Sequence, residues 1–428
     1  MKTYVLVGAG SRALFMFAKP MALDFKEHVA FKGVYDINPA RARFLSEECE
    51  NVPVYDDFHR MLAEVKPDVV VVASTDNTHH TYIIESLKAG CDVISEKPMT
   101  IDADKCREIL EAEQASGKKV TVTFNLRFAP YFAKVKELLM DGAIGEVFHI
   151  DLEWFLDRRH GADYFRRWHA EMKNSGGLLV HKSTHHFDII NWWMDSNPEE
   201  VHAFGKLRVY GDNRKEKGER CLTCDYKTTC EFYLDIESDA FIEKYYHQAE
   251  EEDGYIRDRC LFDDRIDIYD TMSVNVRYEN DAMLTYSLVA YSPYEGWRGV
   301  INGSKGRMEV TNVYTSWDMK QSDTSLITIH RPDGSTEHVE VNTSAAGHGG
   351  GDAKLRKVLF EGGVEDRLGQ QADSGVGATS LLIGATANRS IAEGRALRLP
   401  DVSPSANTAN GTAGKGAAAV EQAGARSQ

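Results

Sequence analysis

The sequence predicts an α/β protein in two parts: a doubly wound parallel sheet first, then an α+β domain with an open, largely antiparallel sheet. Three observations predict it. Short apolar runs alternate with helical stretches from Thr3 to about Val122, a glycine turn follows the first run, and after Phe124 strand-like segments succeed one another with alternating inward and outward residues. Strands separated by helices pair in parallel, because the crossover returns the chain to the same end, whereas successive alternating strands favour antiparallel neighbours with one covered face.

In order, YVLVG, FKGVYD, PDVVVVAS, CDVIS and KKVTVTF read as the strands of the first domain, over residues 1–123. The second domain, 124–399, is expected to bind substrate and to make homo-oligomer contacts, as a dimer or tetramer. It holds a helix around Tyr131 to Met140, the strand-like GEVFHIDLEWF, a long helix from about His181, and the strands TMSVNVRYE and AMLTYSLVAYS. From 400 to 428 the composition falls to Ala, Gly, Ser, Asn and Thr, which bury too little apolar surface to offset chain entropy, so a disordered tail is expected.

The hydrophobic fraction of 42% and charged fraction of 27% are those of a globular chain, and a net charge of −16 opposes a phosphate backbone. Nucleic acid is therefore excluded as a partner in favour of a small molecule. No run approaches ~18 apolar residues, so no membrane partner is expected, and Met1 to Val7 lack a signal-like stretch, which points to the cytoplasm. Among seven cysteines, Cys49, Cys91 and Cys106 are scattered as reduced thiols would be. Cys221, Cys224, Cys230 and Cys260 are bunched, and suit either a closed structural zinc site or four further reduced thiols.

Gly8-Ala9-Gly10-Ser11-Arg12-Ala13 after YVLV is a G-x-G-x-x-[GA] turn opening a helix. Gly8 permits the tight turn, Gly10 lets backbone approach a pyrophosphate, Ala13 keeps helix and strand close, and the helix N-terminus offers N–H groups to phosphate. Asp36 closes the second strand, where a carboxylate binds ribose hydroxyls and repels a 2′-phosphate, favouring NAD over NADP. Its alternative role is a helix cap for the segment from Pro39. Arg12 either contacts the pyrophosphate or tolerates a 2′-phosphate.

ASTDNTHH at 73–80 and SEKPM at 95–99, with GAGSRA, resemble the Gfo/Idh/MocA oxidoreductase family, named for glucose-fructose oxidoreductase and inositol dehydrogenase. The resemblance continues through FNLRF, GAIGEV, GGLLVHKSTHHFD and GSKGRMEV, and omits the tail and an insert of about 205–270. It implies a Rossmann domain, an open-faced sheet, and an active site between them. Ser74, Thr75, Asn77, His80, Glu96, Lys97 and Asn125 then join the glycine turn and Asp36 in holding NAD, and Pro98 is implied to be cis.

The resemblance makes Lys97 a catalytic residue whose ammonium hydrogen-bonds the reacting hydroxyl. It places His185 as general acid/base, an imidazole being able to take the carbinol proton while hydride leaves. His181 falls where the family has Asp, which weakens a simple dehydrogenase reading. A catalytic metal is disfavoured because Lys182 replaces the glutamate of H-E-x-x-H. Arg127 from FNLRF, Arg158, Tyr164, Arg167 and Trp168 from a donor-rich aromatic run, and His348 from a turn resembling a late active-site loop are the substrate-side candidates. Arginines there fork onto anionic groups and aromatics pack on sugar rings, so the carbohydrate substrate is allowed to be anionic.

The function expected is NAD-dependent oxidation or reduction of a carbohydrate or cyclitol hydroxyl. The alternative is an NAD-dependent glycosidase that oxidises C3 transiently, eliminates the aglycone and recycles NAD. A third reading, a sugar sensor that has lost turnover, is opposed by the presence of Lys97 and His185.

Overall fold

The computed structural model of the chain describes residues 1–313, 324–342 and 347–404. In the first domain the strands are β1 (Lys2–Val7), β2 (Val29–Tyr35), β3 (Val54–Tyr55), β4 (Val69–Val72), β5 (Asp92–Ser95) and β6 (Val120–Val122). They pair in parallel in the order β3-β2-β1-β4-β5-β6. Helices cover both faces, so β4 is buried at all four positions and reads as an unbroken apolar run. The order reverses between β1 and β4, which opens a crevice beyond their carboxyl ends.

The second sheet is built from β7 (Val147–Asp157), β8 (Pro198–Lys206), β9 (Thr271–Tyr278), β10 (Met283–Ser292), β11 (Gly296–Gly303), β12 (Gly306–Val313), β13 (Thr324–His330) and β14 (Thr336–Asn342). Two short strands follow, β15 (Ala372–Asp373) and β16 (Leu397–Arg398). The order is β14-β13-β12-β11-β7-β10-β9-β8-β16, antiparallel except for β7 with β10. In β9, Met272, Val274, Val276 and Tyr278 are buried while Ser273, Asn275 and Arg277 face out, the period of a sheet covered on one side. The other face is open, with Phe204 and Met283 exposed.

Four details differ from the sequence reading. β15 returns to the first sheet and pairs antiparallel with β6, and the helix Ser374–Glu393 then packs against both domains. A Cβ on its Gly384 would lie 2.0 Å from the Leu179 carbonyl oxygen, so only glycine allows that approach. The long helix from His181 is two pieces, Leu178–His181 and Thr184–Met194, because the Ser183 and Thr184 hydroxyls bond Tyr286 and the Val180 carbonyl at the break. Chain order extends past Pro400, since Val402 is buried in the first domain's core; the rest of the expected tail, 405–428, lies outside the described residues.

The insert has little regular structure. Arg166 ties it down, donating to Cys221 Sγ at 3.1 Å and to the Phe232 carbonyl, and residues 239–256 fold back onto the first domain.

Candidate active site

Gly8 has φ +98°, and a Cβ there would lie 2.4 Å from the Ala73 carbonyl oxygen, so the β1 turn requires glycine. Gly10 is different: a Cβ would meet nothing within 4 Å, which leaves open the space a pyrophosphate needs. The turn opens onto a cleft of about 580 Å³ lined by Gly8, Gly10, Ser11, Asp36, Ser74, Thr75 and Asn77 on one side, and by Arg167, Trp168, Tyr246 and Tyr255 on the other. Asn77 Oδ1 is buried without a partner among the described residues. A carboxylate, a glycine turn with open space at Gly10 and an orphaned amide oxygen in one crevice fit a dinucleotide.

Asp36 accepts the N–H of Ala9 at 2.6 Å and of Asn38 at 2.7 Å, leaving lone pairs for ribose hydroxyls. It is not the helix cap: Asn38 caps the helix Pro39–Glu47 by accepting the Arg41 N–H. Arg12 does not extend a free guanidinium toward pyrophosphate or 2′-phosphate. Its Nε donates to Glu96 at 2.7 Å and its two terminal nitrogens to Asp352 at 2.9 and 3.1 Å. Ala13 is fully buried behind the turn.

Beyond β5 the chain gathers the second cluster. The Lys97–Pro98 bond is cis, and Lys97 Nζ donates to the His181 carbonyl at 3.3 Å. Burial, with Lys182 and Arg12 against Glu96, pulls the Lys97 ammonium down to about 8. His185 is 1% exposed, both its ring nitrogens are buried without a partner among the described residues, and its ring lies 5.6 Å from that of His348. Burial and the neighbouring Lys97 hold it well below the usual imidazole range, so it is neutral. His348 Nδ1 contacts Asp352 at 3.2 Å, and Asp352 also takes the Asn125 amide at 2.5 Å. Although burial opposes it, the bonds from His348 and Arg12 hold Asp352 below the usual carboxylate range. Asn125 Oδ1 stays buried and unpartnered among the described residues.

His181 carries the structural answer to the missing family aspartate. Its Nδ1 meets Asp76 Oδ2 at 2.5 Å, so a carboxylate arrives from the other domain, 105 residues away in sequence. Burial pushes Asp76 up and His181 down. Trp168 stacks on His169 and stands edge-on to His181 with Tyr164, whose hydroxyl bonds His160, itself bonded to Glu295. Lys182 lies buried over the Trp154 ring at 5.7 Å with no hydrogen bond among the described residues.

Other predicted residues lie elsewhere. Arg127 is not on the substrate side: its fork meets Asp188 at 2.9 and 2.7 Å, its third nitrogen bonds the Gly369 carbonyl, and its side chain is 5% exposed. Arg158 pairs with Glu231 and rests 4.6 Å above Phe232, in the insert. His80 faces Lys105 and Glu108; its neighbour His79 is the residue that ties the loop to β5, bridging the Ser74 and Pro98 carbonyls. Arg167 lines the cleft but pairs with Asp163 at 3.1 Å. The four bunched cysteines surround one small nook, yet no group of three or more metal-ligating side chains among the described residues is arranged to hold an ion, and Cys221 Sγ already faces the Arg166 guanidinium. The zinc expectation therefore finds no support among the described residues.

Sequence reasoning missed Asp76, His79, His169, Lys182 and Tyr246. Asp76 and His79 lay inside the ASTDNTHH motif, but nothing local distinguishes the buried members of that loop from Asn77 and His80. Tyr246 carried no signal at all.

Residues 2–124 match the oxidoreductase family, NAD-binding Rossmann fold, and residues 136–399 the oxidoreductase family, C-terminal alpha/beta domain. The chain is similar to "Putative oxidoreductase YteT" of Bacillus subtilis, 39% identical over 432 residues, which cover 94% of this chain and 99% of that one. It is 35% identical over 115 residues to the D-glucoside 3-dehydrogenase of Escherichia coli, covering 27% and 33% of the two chains. The fold matches that of a levoglucosan dehydrogenase solved with NADH and levoglucosan, at TM-score 0.66 and 16% identity, over 94% of this chain and all of the other.

Proposed function

Because the chain belongs to the Gfo/Idh/MocA oxidoreductase family, we propose that it is a dehydrogenase of a carbohydrate or cyclitol hydroxyl, with Lys97 and His185 at the reacting carbon. One observation carries this reading: His185 is buried with both ring nitrogens unpartnered among the described residues, beside Lys97 at the end of β5. A buried imidazole with nothing to bond is costly unless a ligand completes it.

NAD, when bound, supplies a hydride acceptor at the carbinol carbon and, in a recycling variant, returns that hydride after an aglycone has been eliminated. The protein handles the proton. Neutral His185 accepts it from the substrate hydroxyl, while the Lys97 ammonium donates a hydrogen bond to the same oxygen and stabilises developing negative charge. Asp76 accepts the Nδ1–H of His181, which fixes that ring's tautomer and turns Nε2 to the substrate as an acceptor. Trp168 and Tyr164 give the sugar ring a flat apolar wall. Relatives named inositol 2-dehydrogenase and D-glucoside 3-dehydrogenase support the substrate class.

The test is incubation with NAD and a panel of sugars, uronates, glycosides and cyclitols. A substrate should give NADH in proportion to product, and a panel yielding neither NADH nor altered sugar overturns the reading. The recycling glycosidase is favoured by one observation, the roofing of the cleft by the insert, and is distinguished by aglycone release without net NADH.

A further inference from the structure

We propose that residues 239–256 of the insert form a strap that completes the cofactor site and keeps the dinucleotide bound through turnover. The proposal rests on reading the cleft as an NAD site. Tyr246 is the central contact: its hydroxyl accepts the Ser11 N–H at 3.1 Å, at the glycine turn itself. A phenol that accepts one hydrogen bond still has its own proton to donate, and at this turn the incoming acceptor is a pyrophosphate oxygen.

The strap is latched along its length. Asn38, which caps the helix after Asp36, donates its side-chain amide to the Ala249 carbonyl at 2.8 Å. Arg41 of the same helix pairs with Asp253, the two side chains being 9% and 11% exposed. Phe241 lies 5.4 Å from Phe15, and Tyr245 and Tyr246 belong to the first domain's own apolar core. The far end is held within the insert, where Arg220 bonds both Glu250 and Asp258.

The cleft thus has the glycine turn on one side and the strap on the other, and a bound dinucleotide leaves only after buried bonds break. Contacts that must break before exit slow dissociation more than they alter association. The Rossmann turn by itself leaves that side open.

The experiment uses the full chain. Purified protein is gel-filtered and denatured to measure retained nucleotide, and NADH release is followed by stopped-flow fluorescence during displacement with excess NAD. Wild type is expected to release NADH slowly, and Tyr246→Phe and Asp253→Asn each at least about tenfold faster, the effect of losing one hydrogen bond to a charged group. Melting temperatures check folding, and Tyr246→Phe, which keeps the packing, decides the matter if Asp253→Asn is unstable. Release from Tyr246→Phe within about twofold of wild type overturns the strap. Failure of wild type to bind NADH at any concentration overturns the cofactor reading itself, and the strap with it.

Discussion

His185 and Asp76 separate chemistry from positioning. Replacing His185 by Ala removes the group proposed to take the proton and should lower kcat by about 10²- to 10⁴-fold, with NADH affinity unchanged by fluorescence titration. Asp76→Asn leaves His181 in place but frees its tautomer. It is expected to lower kcat and shift the pH–rate profile with little change in KM, and an unaltered profile would show the contact to be structural only. Lys97 gives the pH dependence its upper limb. Its ammonium, pulled down to about 8 by burial, is the form that donates to the substrate, so kcat/KM should fall as pH rises through about 8. Lys97→Ala, assayed for residual activity, should lose that limb. At this scale the glycine turn was legible, and Asp36, Lys97 and His185 could be put forward as candidates, because each stands at a motif position whose backbone role is local. Arg127 was misread, since a motif does not say whether an arginine faces ligand or a buried aspartate.

Elements were legible where burial is uniform or strictly alternating, as in β4 and β9. They were misread where side chains interrupt backbone bonding, as at Ser183 and Thr184, where the helix breaks between His181 and His185. That break sets the two histidines on different pieces. The Arg127–Asp188 pair ties the segment after β6 to the helix Thr184–Met194, and neither side chain is more than 5% exposed. Arg127→Ala leaves a buried carboxylate alone and should cost about 3–5 kcal/mol in denaturant unfolding. The KM of the folded fraction should stay near wild type, which a substrate-binding arginine would not allow.

For the whole molecule, the open face of the second sheet is the feature without an intramolecular partner among the described residues. Phe204 and Met283 are 63% and 54% exposed on it, and apolar groups sharing one face mark an association surface. We propose that two or four copies meet there. Light scattering after size-exclusion chromatography should give a dimer or tetramer, and Phe204→Glu with Met283→Glu should shift it to monomer without lowering secondary-structure content. A monomeric wild type would leave this face solvent-exposed.

The sequence by itself determined the two sheets and the nucleotide turn, and it pointed to Lys97 and His185 as candidates, because apolar period and motif spacing act over a few residues of chain. Only the tertiary structure decided which charges are free. It gave Asp76 to His181, Asp352 to Arg12, Asp188 to Arg127, and the insert to the cofactor cleft. Those pairings join residues tens to hundreds apart, and buried charge is settled by whichever opposite charge the packed fold brings within reach.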